Sequence, residues 1–145
     1  MKHFLGGLIV LGLCAAPVAA ETWHPYSRST GTVFMADVDS IVVNGEVTTV
    51  LVATVARTGD AGDYSHTIET FEFQCGASSK WRTAGMVEYG ADGAEMGRYP
   101  EEGAEWESIR AGTSPDFLEQ IVCDGSRAQP PIWPTVRAFV DAGRT

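Results

Sequence analysis

The dipeptide Asn44-Gly45, set between Val42-Val43 and Val47, constrains the fold more than any other feature of the chain. Both residues tolerate the positive φ that a tight two-residue hairpin demands, so two antiparallel strands are expected to meet there. Downstream, Val47 to Arg57 presents Val47, Thr49, Leu51, Ala53 and Val55 to one side and Thr48, Val50, Val52, Thr54 and Ala56 to the other. Apolar side chains on both faces mark a central strand that is covered on both sides. Upstream, Thr32 to Ala36 reads as a short strand and Ile41 to Val43 as another. Between them, Asp37-Val38-Asp39-Ser40 offers side-chain acceptors that favour a turn.

The strand period continues beyond a loop at Thr58 to Asp63. Thr67 to Cys75 sets Phe71, Phe73 and Cys75 against Glu72 and Gln74, which points Cys75 into the core. Lys80 to Tyr89 places Trp81, Val87 and Tyr89 on one side and Arg82, Met86 and Glu88 on the other. Gly90-Ala91-Asp92-Gly93 then turns the chain into a last short strand, Ala94 to Tyr99. Glu101 to Glu107 is too acidic, and too broken by Pro100 and Gly103, to be a core strand; it reads as a loop anchored by Trp106. The expectation is an antiparallel meander of five or six strands.

A helix follows. Ser114-Pro115-Asp116 supplies an N-cap, a first-turn proline and an early acid, and Phe117, Leu118, Ile121 and Val122 form one apolar stripe. A regular continuation would aim Cys123 about 170° away from that stripe, so the helix is expected to loosen there, with Gly125 ending it. The fold class is therefore α+β, with the helix covering the sheet face that carries Phe71, Phe73 and Cys75. Residues 125–145 add a Pro-rich linker, Ala128 to Pro134, and a short helix in which Val136, Phe139 and Val140 recur at helical spacing. That helix is expected to dock on the domain.

The 145 residues make one domain. Residues 1–20 read as a secretory signal peptide: a basic head at Lys2 and His3, an apolar run from Phe4 to Leu13, and small residues before Glu21. That run is about half the ~20 residues needed to span a bilayer, and no later stretch approaches it. Leu13 precedes Cys14 where lipid attachment requires a small residue, so a lipid anchor is not expected. Cleavage after Ala20 leaves nine basic and nineteen acidic residues, a net charge of −10. Such a domain repels phosphate backbones and anionic headgroups, which argues against nucleic-acid and membrane-surface partners.

With Cys14 removed, Cys75 and Cys123 remain. In an oxidising compartment an even pair reads as a disulfide, worth roughly 4 kcal/mol for a loop of this length. Neither a Cys-x-x-Cys nor a histidine cluster points to a redox or metal role, and no cofactor is called for.

Lys80, Trp81 and Arg82 combine two cations with a large aromatic in an acidic domain, a combination enriched at protein contacts. They are the candidate partner-binding residues, set against the plainer reading of Trp81 in the core and two solvated cations. Asp37, Asp39, Asp60, Asp63, Asp92 and Glu95 offer hard oxygen ligands, but turn-forming aspartates account for them without calcium. His24 and His66 stand in no nucleophile elbow, metalloprotease helix or carboxylate pair, so catalysis is not expected.

Several features together resemble the surface-adhesin protein E family of Gram-negative bacteria. They are Trp23, Asp37-x-x-Ser40-Ile41, Cys75 closing an aromatic strand, Trp106 before Ala111-Gly112-Thr113-Ser114, and the helix ending in Cys123. The resemblance covers roughly residues 23–124, within a domain of residues 21–124. It implies an antiparallel sheet with a C-terminal helix tethered by the disulfide. In function it implies an exported protein that binds host extracellular-matrix or plasma proteins such as vitronectin, laminin and plasminogen, and that can form a homodimer. The alternative, from the missing lipid pattern, is a periplasmic or envelope-associated structural domain without a host partner.

Overall fold

The computed structural model describes residues 21–145; the signal-peptide expectation falls on residues 1–20 and lies outside them. Six strands follow one another in the sheet in sequence order. They are β1 (Trp23–Arg28), β2 (Thr32–Asn44), β3 (Val47–Ala56), β4 (His66–Gln74), β5 (Lys80–Tyr89) and β6 (Glu95–Pro100). Every neighbouring pair is antiparallel, which is the expected meander. A two-residue strand, β7 (Glu107–Ser108), pairs with Lys80 and Trp81 at the start of β5, within the segment expected to be all loop. Two helices complete the fold, α1 (Ser114–Val122) and α2 (Val136–Asp141).

Alternation along the central strands builds two cores. Val33, Met35, Ala53 and Val55 face one side of the sheet and join Trp23, Val136, Phe139 and Val140. Ala36, Val50, Val52 and Phe73 face the other and join Leu118 and Ile121 of α1. The expected double coverage of β3 is thus met by α1 on one face and α2 on the other. Of the α1 stripe, Leu118 and Ile121 are buried, whereas Phe117 is 42% exposed. The helix begins one residue earlier than expected, with Thr113 and not Ser114 at the N-cap position, and the Ser114 hydroxyl instead donates to the Tyr26 hydroxyl at 3.3 Å.

A hairpin forms where expected, but its two turn residues are Gly45 and Glu46: Asn44 ends β2 paired with Val47, and of the Asn-Gly pair only Gly45 has positive φ, at 63°. The expected turn at Asp37 to Ser40 does not form: β2 runs straight through it with a register irregularity between Asp37 and Val42. The polar side chains replace missing ladder bonds instead of reversing the chain. Asp37 accepts from the N–H groups of Thr22 and Asp39, each at 3.1 Å. The Ser40 hydroxyl donates to the Asp37 carbonyl at 2.6 Å and accepts from Leu51 N–H at 2.8 Å, standing in for a backbone carbonyl. β1 had no sequence signal because His24-Pro25 interrupts it; as an edge strand it tolerates Pro25 through a bulge between Pro25 and Ser27.

α1 ends at Val122, and Cys123 bonds to Cys75 with Cα atoms 5.6 Å apart. Gly125 follows with φ of 72°, as the loosening helix required. Cys75 itself lies just beyond β4 and is exposed, so the bridge clips the rim of the sheet and does not fill its core, contrary to the strand-parity expectation.

The C-terminal segment is docked. Trp133 exchanges backbone hydrogen bonds with Trp23 at 2.8 and 3.0 Å, extending the β1 edge. Arg144 is buried, and its guanidinium donates to the carbonyls of Gly59, Asp60 and Asp63 at 3.1, 3.4 and 2.7 Å. A buried cation needs such partners, and here they also fix the loop between β3 and β4. Asp141 accepts from the Tyr64 hydroxyl at 2.8 Å and Arg137 lies 3.6 Å over the Tyr64 ring, so α2 holds the end of that loop nearest β4.

Candidate partner-binding surfaces

β5 places Lys80 and Arg82 on one face of the sheet and Trp81 on the other, because successive strand residues alternate. Trp81 pairs across β4 with Phe73 and stacks on Phe71, ring centres 5.6 Å apart, at the margin of the α1 core. Its outer edge still reaches a surface cleft of about 280 Å³ between β7 and the start of α1, shared with Arg110 and Thr113. Lys80 is exposed and borders a second cleft, of about 420 Å³, that also holds Asp116 and Glu119. Arg82 is committed within the molecule. Its Nε donates to Glu72 at 2.6 Å, its Nη1 to the Ala104 carbonyl at 3.3 Å, and it lies 4.4 Å over the Trp106 ring. The sequence triplet is therefore split, with a free lysine at the rim, an arginine that anchors the acidic loop, and a tryptophan on the opposite face.

Sequence parity also missed a surface created by a bulge. Glu69 opposes Met86 and Phe71 opposes Thr83, so one extra residue of β5 is absorbed between them and its side-chain parity flips. Trp81 then faces α1, while Val87 and Tyr89 face the side covered by α2. Gly85 sits in the bulge with φ of 135°, and a Cβ there would meet the Tyr99 carbonyl at 3.0 Å. A lone glycine in an alternating strand was the available signal. On the sheet face that α2 partly covers lies a groove of about 360 Å³, bordered by β6. Leu51, Ile68, Thr70 and Val87 line it from β3, β4 and β5, with Trp23 from β1 and Arg98 from β6. Trp23 is held by its indole N–H, which donates to Glu21 at 3.0 Å, and Arg98 by Glu95, at 3.2 and 2.9 Å.

The remaining polar candidates are occupied locally. Asp92 accepts from Ala94 N–H at 2.9 Å and Asp63 from Ser65 N–H at 3.0 Å, as turn aspartates do. Among the described residues no three histidine, cysteine or carboxylate side chains come together as a metal site. His66 stacks on Tyr89 at 4.4 Å and donates Nδ1–H to the Tyr64 carbonyl at 2.7 Å. Burial lowers the His66 pKa, and lowers that of His24, where the Arg127 charge adds to the effect. On the α1 side, burial pushes the Tyr26 hydroxyl up to about 12 and holds the Glu69 carboxyl above its usual range.

A six-strand meander with a helix clipped to its rim by one disulfide, and with clefts at its edge and ends, has the form of a small binding domain. The chain belongs to the surface-adhesin protein E family, whose sequence pattern matches residues 23–124. That span runs from the first residue of β1 to just past Cys123, so α2 lies beyond it. Membership places the chain among surface adhesins, proteins whose work is binding. No curated protein and no solved structure matches it. Among the described residues no helix is long and apolar enough to cross a membrane.

Proposed function

We propose that the chain is an exported, non-catalytic module that binds a protein, of the kind found in host extracellular matrix or plasma. The observation that carries this reading is the family match over residues 23–124, joined to a fold stabilised by a disulfide, as an oxidising compartment permits. Lys80 is the cation free to meet a partner, Trp81 contributes its edge at the neighbouring cleft, and Arg82 holds the Trp106 loop in place beside them. The test is protease shaving of intact source cells, followed by mass spectrometry with a periplasmic marker as control. Release of peptides from residues 21–145, and binding of the purified protein to immobilised matrix proteins that weakens in a Lys80→Ala, Arg82→Ala variant, is the expected result. Full protection in unbroken cells would instead support the envelope-associated reading, which the Leu13-Cys14 sequence favours by departing from the lipid-attachment pattern.

A further inference from the structure

The sheet has one long strand edge that nothing in the described residues pairs. The outer edge of β5 is taken by β6 over Gly85–Tyr89 and by β7 over Lys80–Trp81, and the β1 edge carries the hydrogen bonds to Trp133. β6 has β5 on one side only. Its residues are nearly all exposed, with Met96 at 69% and Tyr99 at 52%. An unpaired row of backbone N–H and C=O groups is a template for one kind of occupant, another extended backbone. Proteins commonly blunt such edges with charge, yet here the one edge cation, Arg98, is neutralised by Glu95.

We propose that β6 receives an extended, net-basic segment of the protein partner, which adds a strand to the sheet and sends an apolar side chain into the adjoining groove. Three observations converge on this. The edge dictates a strand. The groove borders β6 directly, lined by Arg98, Tyr99 and Pro100 as well as by Leu51, Ile68 and Val87, so alternate side chains of an added strand reach it. The surround is acidic, since Glu95, Glu101 and Glu102 are exposed and Glu88 lies beside Tyr99, whose hydroxyl donates to it at 3.4 Å. The proposal rests on the protein-binding reading and names the partner segment it uses.

The experiment pans random peptides displayed on phage against purified protein comprising residues 21–145, then maps the winners by backbone hydrogen exchange. Net-basic peptides with alternating apolar residues are expected, slowing exchange at Glu95–Tyr99. Thr70→Phe, which fills the groove, and Glu95→Lys, which reverses charge on an exposed position, should each weaken them about tenfold. Glu46→Lys, the same charge reversal at an exposed position in the β2–β3 turn and outside the groove, should leave them unchanged. If Thr70→Phe alters the circular dichroism, Glu95→Lys alone decides. No enrichment, enrichment without basic residues, protection at another element, or unaltered affinity in Glu95→Lys would overturn the proposal. So would β6 protection in the free protein that rises with its concentration, since the edge would then be covered by a second copy. Matrix binding without β6 protection overturns this inference alone; β6-directed peptides without matrix binding overturn only the host-partner reading.

Discussion

Gly85 carries a demand that no other residue type meets, since its φ of 135° and the Tyr99 carbonyl 3.0 Å from any added Cβ act together. Gly85→Ala should cost about 1–3 kcal/mol, read from denaturant unfolding, and should speed hydrogen exchange across β6 more than across β3. His24, which is buried, and His66, which is half-buried, set a pH dependence. Each is harder to protonate when folded than when unfolded, so the unfolded chain takes up protons first as pH falls. Thermal stability should be level above the ordinary histidine value of 6.5 and decline below it, until pH passes the lowered native values. His66→Gln should flatten part of that decline. Asp37 and Glu69 act in the opposite sense at lower pH, because burial raises their pKa values and the folded state then binds protons more readily than the unfolded one.

At the level of elements, the disulfide joins a helix of only nine residues to the sheet. A helix that short is marginal by itself and depends on its packed face. A Cys75→Ala, Cys123→Ala variant should lose about 2–4 kcal/mol by chemical denaturation, with exchange in α1 accelerating before that in the central strands. Here the sequence was informative where one physical rule dominated. β3 was legible because its apolar residues on both faces match its double burial, β4 and β5 as strands though not in every side-chain direction, the hairpin because of Gly45, and α2 because Val136, Phe139 and Val140 share a face. It was silent or misleading where side chains substituted for backbone. Ser40 and Asp37 support an irregular strand with the same groups that elsewhere build turns, and β1 exists only because β2 and Trp133 flank it. The split of Lys80, Trp81 and Arg82 followed from simple alternation, but the groove depended on a bulge that parity counting passes over.

Over the whole molecule, α1 and the segment carrying Trp133 and α2 cover opposite faces of one sheet, although only the first falls within the family pattern. A fragment of residues 21–124 should therefore expose Trp23, Val33, Met35, Ala53 and Val55, the residues α2 now buries. It should bind a hydrophobic dye and self-associate in size-exclusion chromatography, whereas residues 21–145 should do neither. The sequential strand order also bears on the time course of folding. Each strand finds its partner next to it in the chain, so the sheet can close hairpin by hairpin, on steps of about microseconds each. Both of its faces are apolar, and the segments that cover them, residues 114–122 and 133–141, come later in the sequence than every strand. A chain emerging from its N-terminal end thus passes through an interval in which the sheet is formed but uncovered, the period when it is most open to aggregation and most in need of a chaperone's grip.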